Sequence, residues 1–302
     1  MKAIFSTLLF CLVLMACSKD DTTADQKKDD DLINLDKANH LSPNVDGNGK
    51  IIVEYSPKDY VVQVDDGQHM LSVRIPDDYY SSASTLSGSE LKSTLSQIVN
   101  SGAIKLQYSS SSSNDVWDMC EAGDQNPSNS NEVYLIYTEK SMDKTEHSTG
   151  SNGWNREHVW AKSHGDFGTS PGPGTDGHHL RASDAGENGN RGNLDFDDVN
   201  GPRTKNGSYY EPPLSAKGDV ARSIFYMALR YGYTVDNGTG LGARHGKLET
   251  LLEWNELDPV DPYEIRRNNI IYDFQKNRNP FIDHPELVKY VFGSKKSEEW
   301  VN

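Results

Sequence analysis

Cysteine is scarce in this chain, with three among 302 residues. Cys11 lies in an apolar leader and Cys17 at its end, so only Cys120 remains in the body of the protein. No internal disulfide can form there, and no thiolate zinc site can be built. Positive charge is also in short supply. Lys and Arg number 30 against 45 Asp and Glu, a formal net charge of −15. Such a balance excludes a protein that holds nucleic acid through its global field, and any polyanion site must be a local basic patch. The zinc-protease patterns H-E-x-x-H and H-x-x-E-H are missing, as are the G-x-S-x-G elbow, the Walker loop and any internal repeat.

The leader has Lys2 and then an apolar run over residues 4–14. The run is too short for a bilayer, which takes roughly 20 residues, and suits a secretory signal. It ends in "LMAC", which resembles a lipobox, where cleavage precedes a cysteine that then carries lipid. The expectation is a signal peptide over residues 1–16 and a lipidated Cys17 anchoring the protein to the membrane. The protein would then sit at the outer membrane or cell surface, or be secreted if ordinary signal cleavage applies. Residues 17–47 are polar and acidic without apolar period and read as a disordered tether. From residue 18 to 66 there are 12 acidic and 6 basic residues. "SKDD" after Cys17 resembles an acidic surface-export signal. Residues 48–76 read as a small β element of short strands with no assigned role.

Residues 77–302 read as one α+β domain, mainly helical. Ser87 and Glu90 have capping-box spacing ahead of the apolar face Leu91, Leu95, Ile98 and Val99, and Gly102 stops that helix. "EVYLIYT" predicts a strand. "GDVARSIFYMALRYGY" predicts a helix with Val220, Ile224, Met227 and Tyr231 on one face and Asp219 as N-cap. Pro262 and Pro285 suit first helical turns. Residues 140–213 are rich in Gly, Asn, Asp and Pro, and so much irregular chain in a compact domain implies a use.

That stretch holds "NGWNREHVWAKSHG", where Glu157 and His158 are adjacent, and then His178 and His179. A neutral imidazole is the natural base near neutral pH. Glu and Asn are hard oxygen donors that suit Mg²⁺ or Ca²⁺. Phosphodiester hydrolysis needs both parts: a base to activate water, and a cation to neutralise the phosphoryl and leaving oxygens.

Four ordered blocks carry a resemblance: "WNREHVWAKSHG", "TDGHHLRASDAGENGNRGN", "KGDVARSIFYMALRY" and "RNNIIYDFQKNRNPFIDHPELV". Together, over residues 79–291, they resemble the bacterial endonuclease I family of secreted or periplasmic non-specific nucleases. The resemblance implies a ββα-metal (His-Me finger) core with long loops. It implies His158 as general base at the end of the first hairpin strand, and Asn188 on the following helix with Glu157 as metal ligands. It further implies one divalent metal, Mg²⁺ with Ca²⁺ or Mn²⁺ as alternatives, DNA and also RNA as substrates, and 5′-phosphate products. A backbone carbonyl should fix the His158 tautomer. One tension accompanies Glu157: neighbours on a regular strand point to opposite faces, so the backbone must bend or Glu157 must reach the metal from the strand's end.

Arg191 is a candidate catalytic phosphate clamp, since guanidinium matches phosphate oxygens bidentately, with a structural ion pair as the other reading. Arg181, His179 and Arg222 are candidate substrate contacts. Arg222 with Arg230, "RRNN" at 266–269 and "QKNRN" at 275–279 could form the local basic patch. A monomer is expected. The rival reading is a non-catalytic surface lipoprotein that binds nucleic acid on a nuclease scaffold. A small-substrate phosphatase lacks its two-metal Asp/His cluster.

Overall fold

The computed structural model describes residues 75–148, 150, 152–237 and 245–302. The expected signal, Cys17, the tether and residues 48–74 of the expected β element lie outside the described residues.

Helices and small sheets alternate, an α+β arrangement. Helix α1 (Gly88–Asn100) buries Leu91, Leu95 and Val99, the spacing read from the sequence. Ser87 is its N-cap, but the Ser87 side chain makes no capping bond. Gly88 at φ 56° turns the chain in the left-handed region just where a capping box would close. The reciprocal box forms instead on α2 (Val116–Gly123), where Asp115 accepts from the Trp117 and Asp118 amides and Asp118 accepts from the Asp115 amide.

Strands β1 (Gln125–Asn126), β2 (Asn129–Leu135) and β3 (Lys140–Asp143) form an antiparallel sheet. Next comes β4 (Trp154–His158), a short helix α3 (Lys162–Gly165), and β5 (Leu180–Asp184), which pairs antiparallel with β4. Helix α4 (Ala185–Arg191) follows β5 directly, capped by the Asp184 carboxylate on the Glu187 amide. A third sheet joins β6 (Asp195–Phe196), β7 (Thr204–Asn206) and β8 (Tyr209–Glu211).

Helix α5 (Lys217–Tyr231) is buried along its whole length except Tyr231. It begins two residues before Asp219, so Asp219 sits in the first turn rather than at the N-cap. Helices α6 (Leu248–Leu257), α7 (Pro262–Gln275), α8 (Pro280–Asp283) and α9 (Leu287–Val291) complete the described chain. Pro262 opens α7 behind Asp261, as expected; Pro285 precedes α9.

Two apolar cores result. One surrounds α5 with α1, α6 and α9, including Leu95, Ile224, Phe225, Trp254 and Val288. The other packs α2 and α7 against one face of the β4–β5 hairpin through Met119, Trp154, Ala182, Ile270 and Phe274. The long connection between β4 and β5 is held by Asp176. Its carboxylate accepts from Arg230, Tyr226 and Tyr231 at 2.5, 3.1 and 2.9 Å, and from Gln275 at 3.1 Å. Irregular chain is thus tied to α5 and α7 by one buried anion.

Candidate active site

The register of the hairpin sorts its side chains. Trp154, Arg156 and His158 share one face with Ala182 and Leu180, and Asn155 and Glu157 share the other with Ser183 and Arg181. The first face packs toward α2, where the Arg156 guanidinium lies 3.7 Å from the Trp117 ring centre. The second face receives α4. Glu157 and His158 therefore do point to opposite sides, as strand geometry requires. Both nevertheless line one cavity of about 440 Å³. The strand stops at His158, and the cavity lies across its end, open to both faces.

His158 is 7 % exposed. Its Nε2 lies 3.1 Å from the Gly174 carbonyl oxygen. A carbonyl can only accept, so Nε2 carries the proton and Nδ1 is the basic nitrogen. Burial, and then the neighbouring His179, pushes the His158 pKa well below its ordinary value, so the ring is uncharged at neutral pH.

Glu157 is buried and accepts from the Tyr137 hydroxyl and from Arg191 Nη1, each at 2.7 Å. Both bonds fall on Oε1, and Oε2 takes neither. Asn188 projects from α4 to the same face, its Nδ2 donating to Asn155 Oδ1 at 2.6 Å. That bond fixes the amide and leaves the Asn188 carbonyl oxygen available. Glu157, His158 and Asn188 are all on the cavity wall. Arg191, one turn after Asn188, is 1 % exposed. Its fork donates to Glu157, to the His158 and Val159 carbonyls at 2.9 Å each, and faces the His245 ring. The guanidinium thus closes the end of β4, with its terminal nitrogens engaged inside the protein.

Tyr108, Arg156 and Lys162 also line the cavity and were not singled out from the sequence. Arg156 has a recoverable signal: it is two positions before His158 and so shares its face. Tyr108 stacks on His158, ring centres 5.9 Å apart, and on Arg156 at 3.5 Å. It comes from the loop after α1, which no local pattern ties to β4.

The other candidates lie inside. Arg181 is buried and bonded to Asp124 at 2.9 Å and Asp219 at 2.5 Å. His179 is buried, taking the Trp160 amide on Nδ1 at 3.3 Å and facing the Pro173 carbonyl with Nε2 at 2.7 Å. Arg222 is fully buried, its Nε donating to Glu264 at 2.8 Å and its Nη1 to the Asp258 carbonyl at 2.9 Å. Arg230, Arg266, Arg267 and Arg278 are buried too, in bonds to Asp176, to the Ala122 and Gln125 carbonyls, to Asp124 and to Asp283. The expected basic patch is therefore internal. These arginines neutralise buried carboxylates and satisfy chain ends that would otherwise be orphaned.

A second group gathers behind Arg191. His164 Nδ1 and His245 Nδ1 lie 3.1 and 3.7 Å from Asp195 Oδ1. Their ligand atoms are all within 4.8 Å of one another, close enough to share a metal ion.

A family model described as Endonuclease I matches residues 87–286, which include Glu157, His158 and Asn188. The chain is 50% identical over 230 residues to an extracellular ribonuclease of Bacillus amyloliquefaciens, covering 71% of this chain and 78% of that protein. It is 32% identical over 119 residues to an extracellular deoxyribonuclease of Aeromonas hydrophila, 36% of this chain and 48% of the relative. A periplasmic deoxyribonuclease of the same organism is 32% identical over 119 residues, 36% of this chain and 47% of the relative. With its site residues inside the matched span, the chain belongs to the endonuclease I family of nucleases.

Proposed function

We propose that the protein is a secreted, metal-dependent endonuclease that hydrolyses phosphodiester bonds in both RNA and DNA, with His158 as general base. The observation that carries this reading is the His158 ring: neutral, with its tautomer set by the Gly174 carbonyl, on a cavity shared with two uncommitted oxygen donors. Neutral His158 takes a proton from water on Nδ1 as the water attacks phosphorus and the bond from phosphorus to the 3′ oxygen breaks; the phosphate stays on the 5′ side, and the 3′ oxygen takes a proton from solvent. A β4–β5–α4 core with the base at the strand's end supports a ββα-metal site.

The donor set fits a hard cation. Glu157 Oε2 accepts neither of the bonds on that carboxylate, and the Asn188 carbonyl is turned by Asn155. Glu157 and Asn188 would hold Mg²⁺, with Ca²⁺ or Mn²⁺ as alternatives. When bound, such an ion supplies neutralisation of charge on the phosphoryl and leaving oxygens. Arg156 and Lys162 on the cavity wall supply the local positive charge for the phosphate backbone. Arg181, His179 and Arg222 serve the fold, and Arg191 holds Glu157 rather than clamping phosphate.

Water as the nucleophile makes the ribose 2′-hydroxyl unnecessary, so both sugars are substrates. Relatives named for ribonuclease and for deoxyribonuclease activity are consistent with that. Plasmid DNA and ribosomal RNA incubated with Mg²⁺ should both be cut to 5′-phosphate ends, and EDTA should stop both. His158→Ala should melt like wild type while its turnover falls by about 10²–10⁴. Cleavage that resists EDTA, or wild-type turnover in that variant, would sink the assignment.

The leader supports a lipid anchor on Cys17. Cys17→Ser should release the protein from the membrane fraction and abolish incorporation of labelled fatty acid; labelling that persists would place the lipid elsewhere. Among the described residues no helix is long and apolar enough to cross a membrane.

A further inference from the structure

His245 is fully buried beside the end of β4, edge-on to Trp160 with ring centres 5.2 Å apart. Its Nε2 accepts the Ala161 amide proton. The backbone amide can only donate, so the ring's own proton is on Nδ1. On that side stands the Asp195 carboxylate, 3.7 Å away and off hydrogen-bond alignment, shared with His164 Nδ1 at 3.1 Å. On the other side is Arg191, whose Nη2 lies 3.0 Å from Nε2 and 3.4 Å from Nδ1. A guanidinium this close requires an uncharged imidazole. Burial and then Arg191 hold the His245 pKa down to about 3.

His164, Asp195 and His245 have spacing that a transition metal would accept. Two observations oppose it. A metal on His245 Nδ1 would force the proton onto Nε2, where the Ala161 amide already points. It would also set a dication beside Nη2 of Arg191, which is 3.4 Å from that same nitrogen. The group suits a charge relay better: half-buried His164, Asp195, buried His245, then Arg191.

We propose that His245, with the Asp195 carboxylate facing its Nδ1, is a positioning residue that fixes the Arg191 guanidinium and through it the Glu157 carboxylate. This rests on the reading of Glu157 as a metal ligand. Arg191 donates to Glu157 and the His158 carbonyl with Nη1 and to the Val159 carbonyl with Nη2, and Nη2 also lies against the His245 ring, 3.0 Å from Nε2; among the described residues its Nε has no hydrogen-bond partner. The plane of the fork is therefore set by its tip and by the Phe196 ring, whose centre lies 4.5 Å from the guanidinium carbon. Without the imidazole, one wall of the guanidinium slot is gone, and Nη1 can carry Glu157 Oε1 away from the geometry that presents Oε2. Asn188 rides the same helix, so both oxygen donors feel the change.

The test is a calorimetric Mn²⁺ titration of the full chain, run beside Mg²⁺-dependent cleavage. His245→Leu should stay folded by circular dichroism, bind Mn²⁺ about ten-fold more weakly and need correspondingly more Mg²⁺ for half-maximal cleavage. The KM for nucleic acid should not change. His245→Gln, whose amide oxygen can accept from Ala161, should recover most of the loss. Asp195→Ala, at a half-buried position, should shift Mn²⁺ affinity in the same direction and covers the case in which His245→Leu does not fold. Wild-type Mn²⁺ affinity in His245→Leu, or in Asp195→Ala should the former be unfolded, would overturn the proposal. So would a stoichiometric zinc in the purified protein that is lost in His164→Ala. A wild-type protein that cleaves but shows no Mn²⁺ binding dependent on Glu157 would instead bring down the ligand assignment beneath it.

Discussion

At the scale of single residues, the proposed ligand geometry rests on side chains that do not line the cavity. Asn188 is a half-buried amide whose accepting oxygen and donating nitrogen are nearly equal in size, and shape alone does not decide which end faces the cavity. In the structure Asn155 accepts from Nδ2 at 2.6 Å, which turns the Asn188 oxygen the other way. In Asn155→Ala that preference disappears, and the amide spends part of its time with nitrogen where oxygen is needed. The expected result is a roughly ten-fold rise in the Mg²⁺ concentration for half-maximal cleavage, with a stability loss of about 1 kcal/mol for one hydrogen bond. A magnesium titration of activity beside a urea melt reads both. Unchanged Mg²⁺ dependence would mean that Asn188 is oriented by something else, or not used. Asn155 was legible in principle: it is two positions before Glu157, and alternation puts the two on one face.

At the scale of elements, the sequence revealed periods but neither the caps of α1 and α5 nor the interiors. The α1 and α5 apolar faces and Pro262 at the start of α7 follow from local chemistry, the β4–β5–α4 order follows from the family resemblance, and all are present. The basic patch does not, because spacing on a helix shows which residues share a face and not what that face meets. Arg222 and Arg230 do share one side of α5, and that side is covered by α7 and by the Asp176 loop. A buried pair such as Arg222–Glu264 is costly to break and cheap to replace. Removing one partner strands a polar group in the core, whereas removing both leaves a packing problem and the loss of one donor to the Asp258 carbonyl. Arg222→Met should therefore destabilise by about 3–5 kcal/mol, and Arg222→Met with Glu264→Leu should regain much of that. Turnover of the folded single variant below its melting range should match wild type, since Arg222 serves the fold. Urea midpoints separate these outcomes, and a single variant as stable as wild type would show that α5 and α7 are joined by apolar packing instead.

At the scale of the whole molecule, the difficulty is an acidic protein acting on a polyanion. Against the formal charge of −15 the cavity wall presents exposed Lys162 and the mostly covered Arg156, which lies between Tyr108 and Trp117, while the other buried arginines serve internal bonds. That internal network carries a pH liability. His178 and His179 are fully buried around Asp176, and burial, the largest cause, pushes each down to about 4. In the unfolded chain each titrates near 6.5. Between those values the unfolded state binds more protons than the folded one, so stability falls with falling pH. The loss begins near pH 6.5 and is complete near pH 4, where the folded rings protonate as well. A shift of this size corresponds to about 3 kcal/mol for each ring. Below that window Asp176, held down by Arg230 against the effect of burial, adds its own loss as it protonates. Urea melts between pH 7.5 and 4.5 should show a midpoint that drops steadily on acidification, and His178→Phe should shallow that slope. A flat midpoint across this range would mean that the imidazoles are hydrated or charged in the folded protein, and that the loop carrying Gly174 to His158 is held by something other than the buried neutral pair.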